Sequence, residues 1–126
     1  AAQDAVAYLE ATYGEAKGTV ACVGYPQIST MKDRAEGFCA EIAKYPNINL
    51  IERSVVELTS SDATNMGDDL LTANPEGSLD CVFGCNAQVA MGLIAAVDTA
   101  ARKDVMITVL TRMKRADLHR QPRLYL

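Results

Sequence analysis

The stretch LDCVFGCNAQVAMGLIAAVDTAARKDVMITVL, residues 79–110, joins two apolar runs through a segment of helical periodicity. The flanking runs, LDCVFGC and DVMITVL, show little polar alternation, which is typical of strands buried on both faces of a parallel sheet. The segment between them, NAQVAMGLIAAVDTAAR, is long enough to return the chain as a crossover helix. The stretch therefore predicts a strand, a helix and a second strand parallel to the first.

The same pattern occurs twice more upstream. GTVACVG at 18–24 and INLIERSVV at 48–56 indicate two further strands, and a segment with helical apolar spacing follows each of them. The predicted class is α/β, a three-layer α/β/α domain with a parallel sheet of about four to five strands. The first strand is expected between the second and the third. The predicted strands are 19–23, 49–55, 79–83 and 105–109.

Local signals predict where the helices begin and end. We expect Thr30 to cap the second helix, with Asp33 completing a capping box, and Ser60 or Ser61 to cap the third. Asn86 is expected to cap the helix of the opening stretch, which is predicted to run to residue 102.

The length and the charge distribution limit the number of domains and the kinds of partner that can be expected. The chain has 126 residues, 49% of them hydrophobic, which is typical of one domain. Residues 1–110 are predicted to form this domain, and 111–126 a basic tail of unassigned role. Five basic and fourteen acidic residues precede position 102, whereas the remainder carries seven basic and two acidic residues. An acidic body argues against a phosphate-binding surface, so no nucleic-acid partner is predicted. The longest apolar run is too short to cross a bilayer.

The sequence shows no pattern typical of catalysis or metal binding. It has no Gly-rich phosphate loop, no G-x-S-x-G motif, and a single histidine, His119, with no recognisable partner. The four cysteines contain no C-x-x-C pair, which makes a zinc site unexpected. We predict that the protein is not an enzyme and uses no metal or cofactor. The cysteines are expected to be buried free thiols, with a Cys22–Cys81 bridge as the alternative.

A ligand site is expected at one edge of the sheet. Open parallel sheets bind ligands beyond the carboxyl ends of their strands. Asn86 at this edge either offers amide donors to a ligand or serves only as a helix cap. Arg34 either extends its guanidinium over the edge or forms a surface ion pair with Asp33 or Glu36. Tyr25 either stacks on a ligand or covers the core. The loops of this edge are 25–30, 55–60, 85–87 and the segment from 111.

Four motifs carry a resemblance to a known family. They are R-x-E-G-F at 34–38, Y-P-N-I at 45–48, L-L-x-A-N-P at 70–75 and F-x-x-N-x-x-x-A-x-G at 83–92. Through them, residues 1–107 resemble the C-terminal lobe of the ribose-binding-protein family, the type I periplasmic sugar-binding proteins of ABC importers. The resemblance implies that Arg34 and Asn86 hydrogen-bond sugar hydroxyls. It also implies that Leu58 lies near a position where the family often has an aromatic ring against the sugar.

The chain departs from that family in three respects. Ala87 stands where an aspartate usually follows the asparagine. VLTR at 109–112 replaces the G-x-D-G of the family, which leaves Thr111 as the nearest counterpart of its ligand aspartate. The resemblance also covers only one lobe, whereas family members close two lobes around a sugar.

The function implied by the resemblance is recognition of a monosaccharide by one lobe of an extracytoplasmic solute-binding protein that feeds an ABC importer. Its partners would be a sugar, the second lobe and an ABC permease, and its location would be periplasmic or extracellular. Two alternatives share the fold: the effector domain of a lac-repressor-like regulator, which would be cytoplasmic, and the sensor domain of a membrane signalling receptor. Because the second lobe is missing, the apolar edge around Tyr25, Ile28, Leu58 and the tail predicts a homodimer or aggregation, through this surface or through the edge of the sheet.

Overall fold

The structure, a computed structural model, describes residues 2–109 and the backbone of residues 124–125. Helices and strands alternate along this part of the chain. Their bounds are α1 Ala2–Tyr13, β1 Gly18–Gly24, α2 Ser29–Ile42, β2 Ile48–Ser54, α3 Ser60–Ala73, β3 Cys81–Gly84, α4 Ala87–Thr99, β4 Met106–Val109 and β5 Leu124–Tyr125.

The strands form one parallel sheet in the order β2-β1-β3-β4-β5. β1 lies between β2 and β3, so the predicted α/β class and strand order are confirmed. β5 pairs with β4 at the edge, with Leu124 opposite Ile107. The predicted boundary at residue 110 stays a prediction, because residues 110–123 lie outside the described part of the chain.

Helices cover both faces of the sheet. The ring of Phe38 on α2 stacks on that of Phe83 on β3, with centroids 4.3 Å apart. The next residue of β3, Gly84, faces Ala90 of α4. Successive residues of a strand point to opposite faces, so α2 and α4 lie on opposite sides of the sheet. α1 contacts α2, and α3 packs on α4, which completes the three layers.

Two glycines allow α3 and α4 to pack closely. A Cβ on Gly67 would lie 2.7 Å from the Cβ of Ala96, and a Cβ on Gly92 would lie 2.6 Å from the Cβ of Ala63. Real Cβ atoms do not approach this closely, so any larger residue would push the helices apart. The hydroxyl of Thr64 on α3 also donates to the Gly92 carbonyl at 3.0 Å. These contacts fix α4, and with it the end that carries Asn86.

The predicted start of α2 was wrong. The helix begins at Ser29, and the residue in the N-cap position is Ile28, whose side chain makes no capping hydrogen bond. Thr30 therefore lies inside the first turn, where its backbone is already helical and it cannot form the predicted capping box with Asp33.

The predicted cap of α3 was also wrong, by one residue. Thr59 has an extended backbone, and its Oγ1 accepts a hydrogen bond from the Asp62 amide at 3.1 Å. Ser60 and Ser61 are the first two helical residues, and a cap must precede them with non-helical dihedral angles.

The C-terminal end of α4 falls three residues before the predicted end. The helix stops at Thr99, and Ala101 takes a left-handed conformation with φ of 54°. The amide of Arg102 then donates to the Val97 carbonyl at 3.0 Å, which closes the helix end. Arg102 is thereby directed back toward the body of the domain instead of continuing the helix.

All four cysteines are free thiols, as predicted, and the alternative Cys22–Cys81 bridge is not formed. Three of them are buried, but Cys39 is only half-buried, so the expectation of burial fails there. No helix within residues 2–109 has the length and apolar character needed to cross a membrane.

Candidate functional site

The strands β1, β2 and β3 end at the same edge of the sheet, and three loops leave from it. We call this edge the carboxyl rim and define it as residues 25–28, 55–59 and 85–86. Four of the five predicted site residues lie on this rim or at the start of the helix that follows it. The fifth, Thr111, lies outside the described residues.

Asn86 caps α4, as predicted. Its backbone is extended, with φ of −149° and ψ of 175°, and its Oδ1 accepts a hydrogen bond from the Val89 amide at 2.8 Å. The cap uses only the oxygen of the side chain. No acceptor for Nδ2 occurs among the described residues, so this half-buried side chain keeps two N–H donors for another partner.

Arg34 reaches from α2 to the β3–α4 junction. Its Nη1 donates to the carbonyl of Cys85 at 3.2 Å, and the side chain is half-buried. The surface ion pair considered as an alternative does not use Glu36, which pairs with Lys32 at 3.8 Å. Because Cys85 immediately precedes Asn86, this hydrogen bond brings the guanidinium to the same part of the rim as the Asn86 amide.

Tyr25 and Leu58 contribute apolar surface at the rim. Both side chains are half-buried and pack against the core. The Tyr25 carbonyl accepts a hydrogen bond from the Ile28 amide at 3.4 Å, which closes the loop after β1. Tyr25 and Leu58 therefore cover the core and also remain partly open to solvent.

A pocket of about 160 Å³ lies beside this cluster, between α2 and the ends of β1 and β2. Of the four predicted site residues that the structure describes, Tyr25 alone lines it. The lining includes the charged side chains of Lys32, Glu36, Glu52 and Arg53. Sequence analysis missed this pocket. The available signal was the charged end of β2, ERS at 52–54, beside an edge where other strands end in apolar residues.

The thiol of Cys85, next to Asn86, has a raised pKa. Burial raises the pKa of Cys85, and the nearby positive charge of Arg34 only partly opposes this shift. The thiol therefore stays protonated at neutral pH and packs as a small apolar side chain. Within residues 2–109, His, Cys, Asp and Glu side chains form no group of three that suits a metal ion.

The rim thus combines amide and guanidinium donors with partly open apolar side chains. Such donors suit the hydroxyl, carbonyl or carboxylate oxygens of a small polar ligand. The fold and the rim define an α/β lobe of the class in which ligands are expected at the carboxyl ends of a parallel sheet.

The family follows from the comparison with known sequences. The profile of the periplasmic binding protein domain family matches residues 1–116, and the chain belongs to this family. The ribose import binding proteins RbsB of Salmonella typhimurium and Escherichia coli K12 are each 28% identical over 100 residues. The aligned part is 79% of this chain and 33% of each relative, so the chain spans about a third of the length of the curated relatives it matches.

Solved structures share the fold. A periplasmic solute-binding protein of an ABC transporter from Actinobacillus succinogenes, with bound D-allose, has 26% identity and a TM-score of 0.72 over 86% of this chain and 37% of that one. A carbohydrate transporter solute-binding protein from Agrobacterium radiobacter, in complex with D-arabinose, has 22% identity and a TM-score of 0.82 over 98% and 42%. The fructose-binding periplasmic domain of the hybrid two-component system BT1754 has 23% identity and a TM-score of 0.76 over 98% and 42%.

Proposed function

We propose that this chain is one lobe of a solute-binding protein that recognises a monosaccharide and delivers it to an ABC importer. The observation that carries the proposal is the hydrogen bond from Arg34 to the Cys85 carbonyl, because it holds a guanidinium beside the amide of Asn86. Binding would be non-covalent, by hydrogen bonds and closure of a second lobe, with no catalytic step.

The chemistry of the rim supports a sugar as the ligand. Each hydroxyl of a sugar can accept a hydrogen bond, and Asn86 and Arg34 both present N–H donors there. Tyr25 and Leu58 would contact the apolar C–H faces of the ring. Thr111, two residues after the end of β4 in the sequence, is proposed as a further hydroxyl partner. The sugars named for the similar proteins, ribose, D-allose and D-arabinose, indicate the size of the ligand class.

The proposed partners follow from the incomplete site. A single rim covers one side of a ligand, whereas small-molecule sites usually bury most of the ligand surface. A second lobe would supply the other side, and an ABC permease would receive the closed protein in the periplasm or at the outer cell surface. A homodimer through the apolar part of the rim is proposed for the chain alone, because Ile28 and Val56 are 43% and 79% exposed.

A sensory role is the second candidate. It is favoured by the likeness to the fructose-binding periplasmic domain of a two-component system, which has the same fold. Both roles use the same rim and the same ligand chemistry, so they differ in what the ligand-bound lobe contacts.

The test compares two arginines in the complete protein that contains this chain, by titration calorimetry with a panel of pentoses and hexoses. Arg34→Lys is expected to weaken binding of the preferred sugar by about 1–3 kcal/mol, because an ammonium group cannot reproduce the guanidinium fork. Arg53→Lys is the matched control. Arg53 also donates Nη1 to a backbone carbonyl, that of Glu52 at 2.8 Å, but it is exposed at the end of β2.

The control variant should bind the sugar as the unmodified protein does. Equal affinities for all three proteins, or a loss with Arg53→Lys alone, would contradict the proposed role of Arg34. Absence of binding to every sugar of the panel would contradict the proposed ligand class.

A further inference from the structure

Two cysteines from neighbouring elements line the pocket beside the rim. Cys22 lies on β1 and Cys39 on α2, and both line the pocket of about 160 Å³. The two thiols are close enough to influence each other, since Cys39 raises the pKa of the Cys22 thiol. The Cys22 sulfur also lies 4.0 Å from the carbonyl of Ala35, one turn before Cys39 on the same helix. The two thiols therefore face each other across the strand–helix interface.

We propose that Cys22 and Cys39 are a redox-active pair, in which exchange with a small-molecule or protein disulfide closes a reversible bridge between β1 and α2. This inference goes beyond sugar binding and does not depend on it. The bridge would close a loop from 22 to 39, and this loop contains Arg34. Oxidation would thus fasten to the sheet the helix that carries the guanidinium of the rim.

The four thiols differ in the features that exchange requires, which are solvent access and a facing partner. Cys39 is half-buried and opens into the pocket, so a dissolved disulfide can reach it. Cys22 is 2% exposed, but it lines the same pocket as Cys39. Cys81 is fully buried on β3 and lines no part of the pocket, which makes it the matched unreactive thiol.

The thiol–disulfide exchange proceeds in two steps, each of which forms one S–S bond and breaks another. The thiolate of Cys39 attacks one sulfur of the external disulfide, forms a mixed disulfide and releases one thiolate. The thiolate of Cys22 then attacks the Cys39 sulfur, forms the Cys22–Cys39 bond and releases the second thiolate. The external disulfide gains two electrons and is reduced to two thiols, and the two protons lost by the cysteines end on these thiols or in solvent.

The second step should be the slow one. The neighbouring Cys39 and burial both raise the pKa of Cys22, so its thiolate is scarce at neutral pH. The rate of bridge closure is therefore expected to rise with pH across the range from 7 to 9, roughly tenfold for each pH unit.

The test treats the chain with cystamine, traps the remaining thiols by alkylation under denaturing conditions, and maps tryptic peptides by mass spectrometry. Trypsin separates Cys22 and Cys39, since it cleaves at Lys32 and Arg34. The expected product links peptides 18–32 and 35–44 and is two mass units lighter than their sum. The melting temperature should rise by about 5–10 °C on oxidation and return on addition of a reductant, because the bridge restricts the unfolded chain.

The variants decide between outcomes. Cys81→Ser should still form the bridge, whereas Cys39→Ser should form neither the bridge nor the stabilised species. Cys39 is half-buried, so its replacement by serine leaves the core intact, and folding can be verified by circular dichroism. Two results would overturn the proposal. One is that Cys39 remains a mixed disulfide at pH 9, and the other is a linked peptide that contains Cys81 or Cys85 instead of Cys22.

Discussion

Two arginines at opposite ends of the sheet show how the same side chain serves two purposes. Arg102, at the amino end, is 8% exposed, and it donates to both carboxylate oxygens of Asp104, at 3.0 and 3.1 Å, and to the Leu71 carbonyl at 3.3 Å. Arg34 on α2 reaches the carboxyl rim with its guanidinium; it is half-buried, and its described partner is the single carbonyl of Cys85. Arg102 makes three hydrogen bonds within the fold and is almost inaccessible to solvent, whereas Arg34 makes one and keeps accessible donors for an external partner.

The neighbouring polar side chains repeat this difference. Asp80, at the amino end, is 6% exposed and accepts from the Thr19 amide at 2.8 Å and from the Tyr13 hydroxyl at 2.5 Å. The hydrogen bond with Asp80 raises the pKa of Tyr13 to about 12, which keeps the phenol protonated. Asn86 at the rim uses its oxygen for the cap and leaves its amide donors open. The amino end is therefore a closed polar network, and the rim is an open one.

The largest expected effect on stability is loss of the amino-end network. Arg102→Met should lower the free energy of unfolding by about 3 kcal/mol. It leaves the largely buried Asp104 carboxylate with the Gly77 amide but without its cationic partner, and it removes the donor of the Leu71 carbonyl. Arg34→Met should lower it by less than about 1 kcal/mol, since a single hydrogen bond to a carbonyl is lost. Urea denaturation of both variants measures the difference. Equal losses of unfolding free energy would contradict the distinction between a closed amino end and an open rim.

A somewhat smaller loss of folding stability is expected when the pH is lowered. Hydrogen bonds from Arg102 lower the pKa of Asp104 to about 2 in the folded protein. A lowered carboxyl pKa stabilises the fold above the unfolded pKa near 4, and this contribution disappears as the pH falls from about 4 to about 2. It should amount to about 2 kcal/mol. The measurement is urea denaturation at a series of pH values, with Asp104→Asn as the control that removes this part of the pH dependence.

A still smaller effect is expected at the turn that positions Arg102. Ala101 has φ of 54°, a left-handed conformation that costs a residue with a Cβ about 1 kcal/mol relative to glycine. Ala101→Gly should therefore raise the melting temperature by a few degrees and preserve the fold. A lower melting temperature would mean that the turn is held by interactions other than its backbone conformation.

Much of the fold was predictable from the sequence because it depends on local patterns. Apolar runs and helical spacing give strands and helices, and the rules of parallel sheets then give the strand order. The capping role of Asn86 and the position of Arg34 followed from the same local reasoning. The start of α2 was missed because a helix can begin without a side-chain cap, as it does after Ile28.

The contacts that were missed join residues that are far apart in the sequence. Asp80 meets Tyr13 across 67 positions, and Arg102 meets Leu71 across 31. Hydropathy and spacing carry no information about such pairs, because both partners also occur in ordinary surface segments. The pocket and the facing thiols of Cys22 and Cys39 were not predicted for the same reason. They form only when β1 and α2 are packed together.

The smallest expected effect on stability belongs to the variant that tests the rim most directly, Asn86→Asp. Aspartate caps a helix as well as asparagine does, so the free energy of unfolding should change by less than about 0.5 kcal/mol. The substitution removes the Nδ2 donors and keeps the oxygen that accepts from Val89. Titration calorimetry of the complete protein with its preferred sugar is the decisive measurement. We predict a loss of affinity of about 1–3 kcal/mol with unchanged stability. Unchanged affinity would contradict the central claim, because Asn86 would then be a helix cap and nothing more.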